Sequence, residues 1–410
     1  MVNLTQAQKS HFLRKTCFAA SPTYLNAVQD INDKGLLIDK LLSITSYDYD
    51  YPDWYITPVD TSELTKEERK QLRKQQSKSL ALWWQKLMLH SSSPFEEVMT
   101  LFWHNHFVSS IQKVKSPYLM LKQNDLFRNQ GLGSFVDLVD SVLKDPAMLL
   151  YLDNNNNKKQ APNENLAREL LELFTLGEGN YTEIDVKEIA RALTGASVKK
   201  RTGEYVFRQN WHDSGEKTIF GKTDNFTVDD LAALIVSQEA CAPFIVSKLW
   251  RYFIDEEPVE QEIVRLSSIL KEADYDLKVL VKAIFLTDAF WQSNGKTIKS
   301  PVHLIVGTYR QFELTELTLN RWVFFTKNMG QLLFSPPNVK GWPGGKAWYS
   351  SAAIFYRELF INRFLKWHKS LVLESSEDML LATPPVASLP DVNHEYYLSI
   401  AMADPAYQLK

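Results

Sequence analysis

Apolar residues return at three- and four-residue spacing along most of the chain, and the segments they define carry helix start signals. In "LTKEERKQLRKQQSKSLALWWQKLML", Thr65 and Glu68 pair as a capping box ahead of a long helix that is charged early and apolar from Leu80 onward. "SSSPFEEVMTLFWHNHFVSS" offers Ser93 as N-cap, Pro94 at the first helical position and Glu96 to close a box. "TEIDVKEIARALTG" starts at Thr182 with Asp185 three residues on and stops at Gly195, and Tyr181 and Val186 stand where a hydrophobic staple would. The same periodicity predicts helices over 135–150, 164–176, 228–237, 243–254, 259–272, 276–287, 301–312, 318–329 and 347–367.

Period-two alternation is nearly absent. Its exception is "ASVKKRTGEYVFRQNWHD", where Thr202-Gly203 can turn a short hairpin near residues 196–209. No repeat of solenoid period and no heptad run is present. Segments 44–62 and 368–393 read as irregular. The expected fold is all-α, one large multi-helix domain over residues 1–410 with long irregular loops and at most that small hairpin.

Composition sharpens this picture. The 410 residues include 15 Gly against 22 Phe, 17 Tyr and 11 Trp, a balance that suits helices packed through aromatic side chains. A net charge of −3 gives no global reason to expect nucleic acid as a partner. Cys17 and Cys241 match no metal or redox spacing and make no disulfide framework. The opening residues lack an apolar run of signal-peptide length, and no stretch approaches a membrane span, so the expectation is a cytoplasmic chain without a membrane span.

Four segments could carry chemistry. In "FWHNHF", His104 and His106 are two apart on a helix and point about 200° away from each other, so one site cannot easily use both. Each is a candidate metal ligand or general base, against the alternative of a core histidine bonded to a carbonyl or carboxylate. In "LDNNNNKKQAPNENLARELLELFTLG", Asp153, Asn155, Asn157 and Glu164 take positions one, three, five and twelve of a calcium-binding helix-loop-helix. Lys158 at the sixth position, where the turn needs glycine, and the Lys158-Lys159 charge count against a bound cation, and the asparagine run then reads as a solvated connector. On the following helix, Glu164, Arg168 and Glu172 form a ladder beside an apolar stripe of Leu166, Leu170, Leu173 and Phe174. Glu169 either joins that surface or faces inward toward a histidine as a ligand.

"NWHDSGEKTIFG" sets His212, Asp213 and Lys217 in a loop, as catalytic groups or as a turn held by an Asx bond from Asp213. "FSPPNVKGWPGGKAWYSS" places Trp342 and Trp348 around a Pro/Gly-rich loop, as ligand-stacking surfaces or as buried pins of a long loop. There is no phosphate-cradling glycine loop, no GxSxG and no HExxH. An enzyme reading joins His106, Glu169, His212, Asp213 and Lys217 as catalytic groups. It makes His104, His106, Glu164, Glu169, Asp153, Asn155 and Asn157 the ligands of a divalent metal ion, for hydrolysis or oxidation of an unidentified substrate. The alternative is a non-catalytic helical partner or polymer-binding protein in which the polar residues are a buried network and the Trp342/Trp348 loop contacts the ligand.

Several blocks occur together and in order: "RKTCFAASPTYL", "FWHNHF", "PNENLARELLELFTLGEGNYTEIDVKEIARALTG", "WHDSGEKTIFG", "VSKLWRYFI", "SPVHLIVG" and "PPNVKGWPGGKAWYSS". Over nearly its whole length the chain resembles the bacterial family catalogued as domain of unknown function 1800. The matching polar positions are His104, His106, Asn163, Glu164, Asn165, Arg168, Glu169, His212, Asp213 and Lys217, to which the family assigns no role. The resemblance implies a neighbouring protein similar to sulfatases and alkaline phosphatases, as a partner or in a shared pathway. Because many relatives carry export signals, it also implies a periplasmic or envelope setting, which this N-terminus does not match.

Overall fold

The computed structural model describes residues 3–43, 50–57, 63–199, 202–371, 377–391 and 396–410. It is mostly α-helical, and one continuous cluster of buried apolar side chains runs from Leu4 near the start to Tyr407 near the end. Helix Pro94–His106 lies at the heart of this cluster: every residue in it except Asn105 is buried. A helix apolar on all sides has no face to give to water and must be wrapped by others. Helices Lys66–His90 and Pro117–Gln130 pack against it and against each other.

Burying this helix removes Glu97 from water, and three hydrogen bonds from two neighbours compensate. The Arg128 guanidinium donates to both carboxylate oxygens (2.7 and 2.9 Å), and Trp84 Nε1 donates at 2.7 Å. Arg128 also donates to Asn124 Oδ1 at 2.8 Å and lies over the Trp83 ring. Glu97 thereby ties together the three helices that meet here.

The capping boxes at Thr65/Glu68 and Thr182/Asp185 form as the spacing predicts. The Ser93/Glu96 box does not: Ser93 makes no side-chain cap bond and Glu96 is buried, so tertiary packing overrides the local motif. The expected helix over 135–150 is two, Phe135–Leu143 and Pro146–Tyr151, because Asp145 caps the Met148 N–H and Pro146 cannot continue the first. The segment 347–367 begins as a 3₁₀ turn, Gly345–Tyr349, before helix Ser351–Trp367.

The hairpin is present, with Ala196–Val198 antiparallel to Tyr205–Phe207. A second one, Lys217–Ile219 with Lys222–Asp224, lies inside the "WHDSGEKTIFG" block and beyond it. Its two turn residues, Phe220 (φ 48°) and Gly221 (φ 76°), both have the left-handed backbone that a tight hairpin turn needs. Of the stretches read as irregular, 44–49, 58–62, 372–376 and 392–393 lie outside the described residues, while Asp53–Ile56 and Glu377–Leu380 are short helices. No single helix among the described residues is long and apolar enough to cross a membrane.

Removing Glu97 leaves the Arg128 cation and the Trp84 N–H buried without their acceptor. Glu97→Ala is therefore expected to cost about 3–5 kcal/mol, read as a lower urea midpoint at unchanged m-value.

Candidate functional site

The two histidines of "FWHNHF" have different surroundings. His104 is fully buried between the rings of Trp84 (5.2 Å), Phe334 (5.1 Å) and Trp342 (5.5 Å). Neither of its ring nitrogens reaches a hydrogen-bond partner among the described residues. Burial alone pushes its pKa down to about 3, so it is a neutral core side chain. His106 lies 2.9 Å through Nε2 from the Phe174 carbonyl. A carbonyl can only accept, so Nε2 carries the proton and Nδ1 is the acceptor. Its pKa also falls to about 3, through burial first and then the Lys248 charge, against the opposing pull of the Phe174 bond.

The Phe174 carbonyl is free for His106 because it lies in the last turn of its helix, where carbonyls have no intrahelical donor. The predicted helix over 164–176 is α only over Asn165–Glu169 and continues as a π-helical turn, Leu170–Thr175. Within the turn, the Leu170 carbonyl accepts from the Thr175 hydroxyl at 2.6 Å.

The calcium spacing does not build a cation site. Asp153 is ion-paired to Lys113 at 2.7 Å, and Glu164 to Arg168 at 3.1 Å. Asn157 accepts from the Asn163 N–H and donates to Asn154 and the Ala190 carbonyl. Asn154 donates to the carbonyls of Leu193 and Ala196, and the Asn155 carbonyl accepts from Ser197. Asn154 and Asn157 are completely buried and clasp the run onto the next helix and strand, while Asn156 is exposed. The Asn154 and Asn157 side-chain oxygens accept from Asn157 Nδ2 and the Asn163 N–H.

Arg168 reaches Glu183 as well as Glu164, while Glu172 accepts from Tyr181. Glu169 is half-buried; desolvation first and then Glu172 raise its pKa, against Lys340 and Arg168. No histidine is among its neighbours in that balance. His212 is buried, with Nδ1 2.9 Å from the Thr194 carbonyl and its ring on Phe207. Asp213 is held by Arg191 and by the Gly215 N–H, the Asx turn itself, and the Arg191 bond keeps its pKa low. Lys217 donates to the Gly215 carbonyl and Asn225, and burial lowers its pKa. Among the described residues, no three His, Cys, Asp or Glu side chains gather as a metal ion would require. The enzyme reading's residues are thus spread over separate local networks.

What does assemble is a cleft that the sequence reading did not foresee. It has an outer chamber of about 350 Å³ and a more enclosed inner chamber of about 110 Å³. The outer one is walled by Phe102, His106, Leu173 and Lys248, with Lys340 at its edge; the inner one by Gln331, Trp348 and Lys410. Asn105, Arg251, Tyr252, Trp342 and Gly344 border both. Trp342 and Trp348 are buried pins of the Pro/Gly loop, and they are also cleft walls.

The loop is set by Asn105, the one helix residue that is not buried. Its Oδ1 accepts from the Trp342 N–H at 2.7 Å, and its Nδ2 donates to the Trp342 carbonyl. Gly341 (φ 85°) makes this approach possible, since a Cβ there would sit 2.7 Å from the Asn105 carbonyl oxygen.

Four cations border the cleft, and none of Lys248, Arg251, Lys340 and Lys410 forms an ion pair among the described residues. The Lys410 ammonium rests on the Tyr252 ring, 4.8 Å from its centre, and burial lowers its pKa to about 7. Burial, and then Arg251, lowers that of Lys248. The signal for this wall was present in "VSKLWRYF": Lys248, Arg251 and Tyr252, at i, i+3 and i+4, share one helix face.

Fold and site together define a mostly helical protein with an aromatic, cation-rimmed cleft. The chain belongs to the family described as Protein of unknown function (DUF1800), whose model matches residues 11–406. No curated protein and no solved structure matches it.

Two outcomes check this geometry. Gly341→Ala should displace the Trp342 loop, lowering stability by about 1–3 kcal/mol and shifting tryptophan emission. Gly344→Ala, where a Cβ meets nothing within 4 Å, should do neither. The second concerns acid. His11, His104 and His106 have folded-state values near 3, below the unfolded value of 6.5, so each is neutral when folded and binds a proton on unfolding. Stability is therefore full above about pH 6.5 and falls as pH drops toward 3, by about 2–3 kcal/mol per histidine between pH 7 and 4.5. Urea midpoints across that interval should fall less steeply for His104→Phe than for the parent chain.

Proposed function

We propose that the cleft binds an anionic ligand and that the protein acts as a binding protein for it. One observation carries this: four cations border a single cleft without ion pairs in a chain whose net charge is −3. Elsewhere Arg128, Arg168, Arg191 and Lys144 all find carboxylates. Holding Lys248 and Arg251 one turn apart, with Lys248 partly desolvated, is unfavourable by itself and becomes favourable when an anion enters.

The aromatic wall and the His106 acceptor suit a ligand with an apolar face and a hydroxyl or amide donor beside its charge. This reading develops the binding alternative with the Trp342/Trp348 loop as a wall. It is favoured over a metal-dependent hydrolase or oxidase because the acidic and histidine side chains stand in separate surroundings, and no three of them gather among the described residues. The partner implied by family resemblance, a sulfatase-like or alkaline-phosphatase-like protein, would act on esters whose anionic groups match this cleft.

Calorimetric titration with glucose 6-sulfate, followed in parallel by tryptophan emission, tests the reading. Saturable binding that weakens with added salt is expected. Lys248→Ala and Arg251→Ala should each weaken it about tenfold, the size of one lost charge-assisted hydrogen bond. An absence of saturable binding by this ester and by inorganic sulfate and phosphate, or unchanged affinity in the double variant, would overturn it.

A further inference from the structure

Resting on that reading, we propose that the inner chamber is an oxyanion subsite that receives the terminal sulfate or phosphate group of the ligand. The ligand then enters end-on, and its body stays in the outer chamber. Lys410 supplies the first reason. Its side chain is buried, borders the chamber, and makes no hydrogen bond or ion pair among the described residues, resting only on the Tyr252 ring. A buried ammonium with only a ring for company lacks the acceptor that buried charges ordinarily have.

Two further groups converge on the same chamber. Gln331 Oε1 accepts from the Val302 N–H at 2.9 Å, which makes Nε2 the amide's remaining donor, and Gln331 borders the chamber. Ser300, also on its wall, caps helix Pro301–Gln311 and accepts from the His303 N–H. The positive end of that helix, equivalent to roughly half an elementary charge, therefore lies beside the chamber. Arg251 stands between the chambers and can reach an anion in either.

The inner volume, about 110 Å³ against 350 Å³ outside, favours a small group over a ring or an internal stretch of polymer. Glu256 is the acid on the inner wall, and its carboxylate lies against Gly345. The titratable groups around the Lys410 ammonium are Arg251 on one helix, Glu256 beyond its end, Lys15 on the N-terminal helix with Asp255 facing it, and Lys299 with His303 at the start of Pro301–Gln311; burial lowers the pKa values of Lys15, Lys299 and His303. Lys410 and Arg251 are therefore the cations on the wall that an entering oxyanion meets, with Glu256 opposing them.

The test compares inorganic sulfate, inorganic phosphate and glucose 6-sulfate by calorimetry on the full chain, with circular dichroism confirming that each variant is folded. Lys410→Gln is expected to weaken all three at least tenfold. Lys410→Arg, which keeps the charge, should restore binding to within about threefold. Lys340→Gln, at the outer chamber, should weaken glucose 6-sulfate more than it weakens inorganic sulfate or phosphate. Because burial lowers the Lys410 pKa to about 7, wild-type affinity for sulfate, whose charge is constant here, should fall as pH rises from 6.5 to 8.5, and the Lys410→Arg profile should be flatter.

Unchanged binding in Lys410→Gln, with loss in Lys248→Ala, would overturn the inner subsite while leaving anion binding by the outer chamber intact. Absence of binding by all three probes to the wild-type chain would overturn both readings. Tighter binding of phosphate than sulfate, or the reverse, identifies which terminal group the subsite prefers, and either order supports it.

Discussion

A helix with almost no face for water organises this molecule. Pro94–His106 is buried on every side, so each polar group it carries must be answered from within the protein. Glu97 is answered by Arg128 and Trp84, and Thr100 by the Glu96 carbonyl one turn back. His106 is answered by the Phe174 carbonyl, and His104 is held neutral in an aromatic box. These bonds decide which helices can surround it and at what rotation. One residue, Asn105, escapes burial, and the cleft opens beside it.

The cleft is a consequence of that single gap. Asn105 holds the Trp342 backbone by both its N–H and its carbonyl, which brings a Pro/Gly loop from more than two hundred residues away across the end of the helix. Helix Cys241–Phe253 supplies the opposite wall, and Lys15 secures that helix by donating to the Phe253 carbonyl at its C-terminal end. On these walls the Lys248 ammonium rests over the Phe244 ring and the Lys410 ammonium over the Tyr252 ring.

Local signals in the chain were reliable where only local chemistry was at stake. Thr65 with Glu68 and Thr182 with Asp185 form their boxes because both partners lie within one turn, and Thr202-Gly203 sits at the turn of a real hairpin. They failed where burial intervened. Ser93 and Glu96 have the right spacing, yet Glu96 is drawn into the core. The Asp153–Glu164 series has calcium-ligand spacing, yet its asparagines face carbonyls and N–H groups that only the folded chain brings near. His212, Asp213 and Lys217 look like a catalytic loop because turns and active sites draw on the same residue types.

The amino-acid sequence alone determined the helical class, most helix starts, the hairpin and the family, since each rests on spacing within one element or on blocks read in order. It also drew attention to "FWHNHF" and the Trp342/Trp348 loop, which both border the cleft. Tertiary structure decided the rest. Lys248 and Arg251 share one helix face, but Lys340, Gln331 and Lys410 lie on other segments, and no spacing in the chain links them to that face. They become a site only because the fold brings those segments together and leaves the four cations without ion pairs among the described residues, although Glu256 stands on the inner wall. Unpaired charge is a property of neighbours in space, so it was settled by the fold.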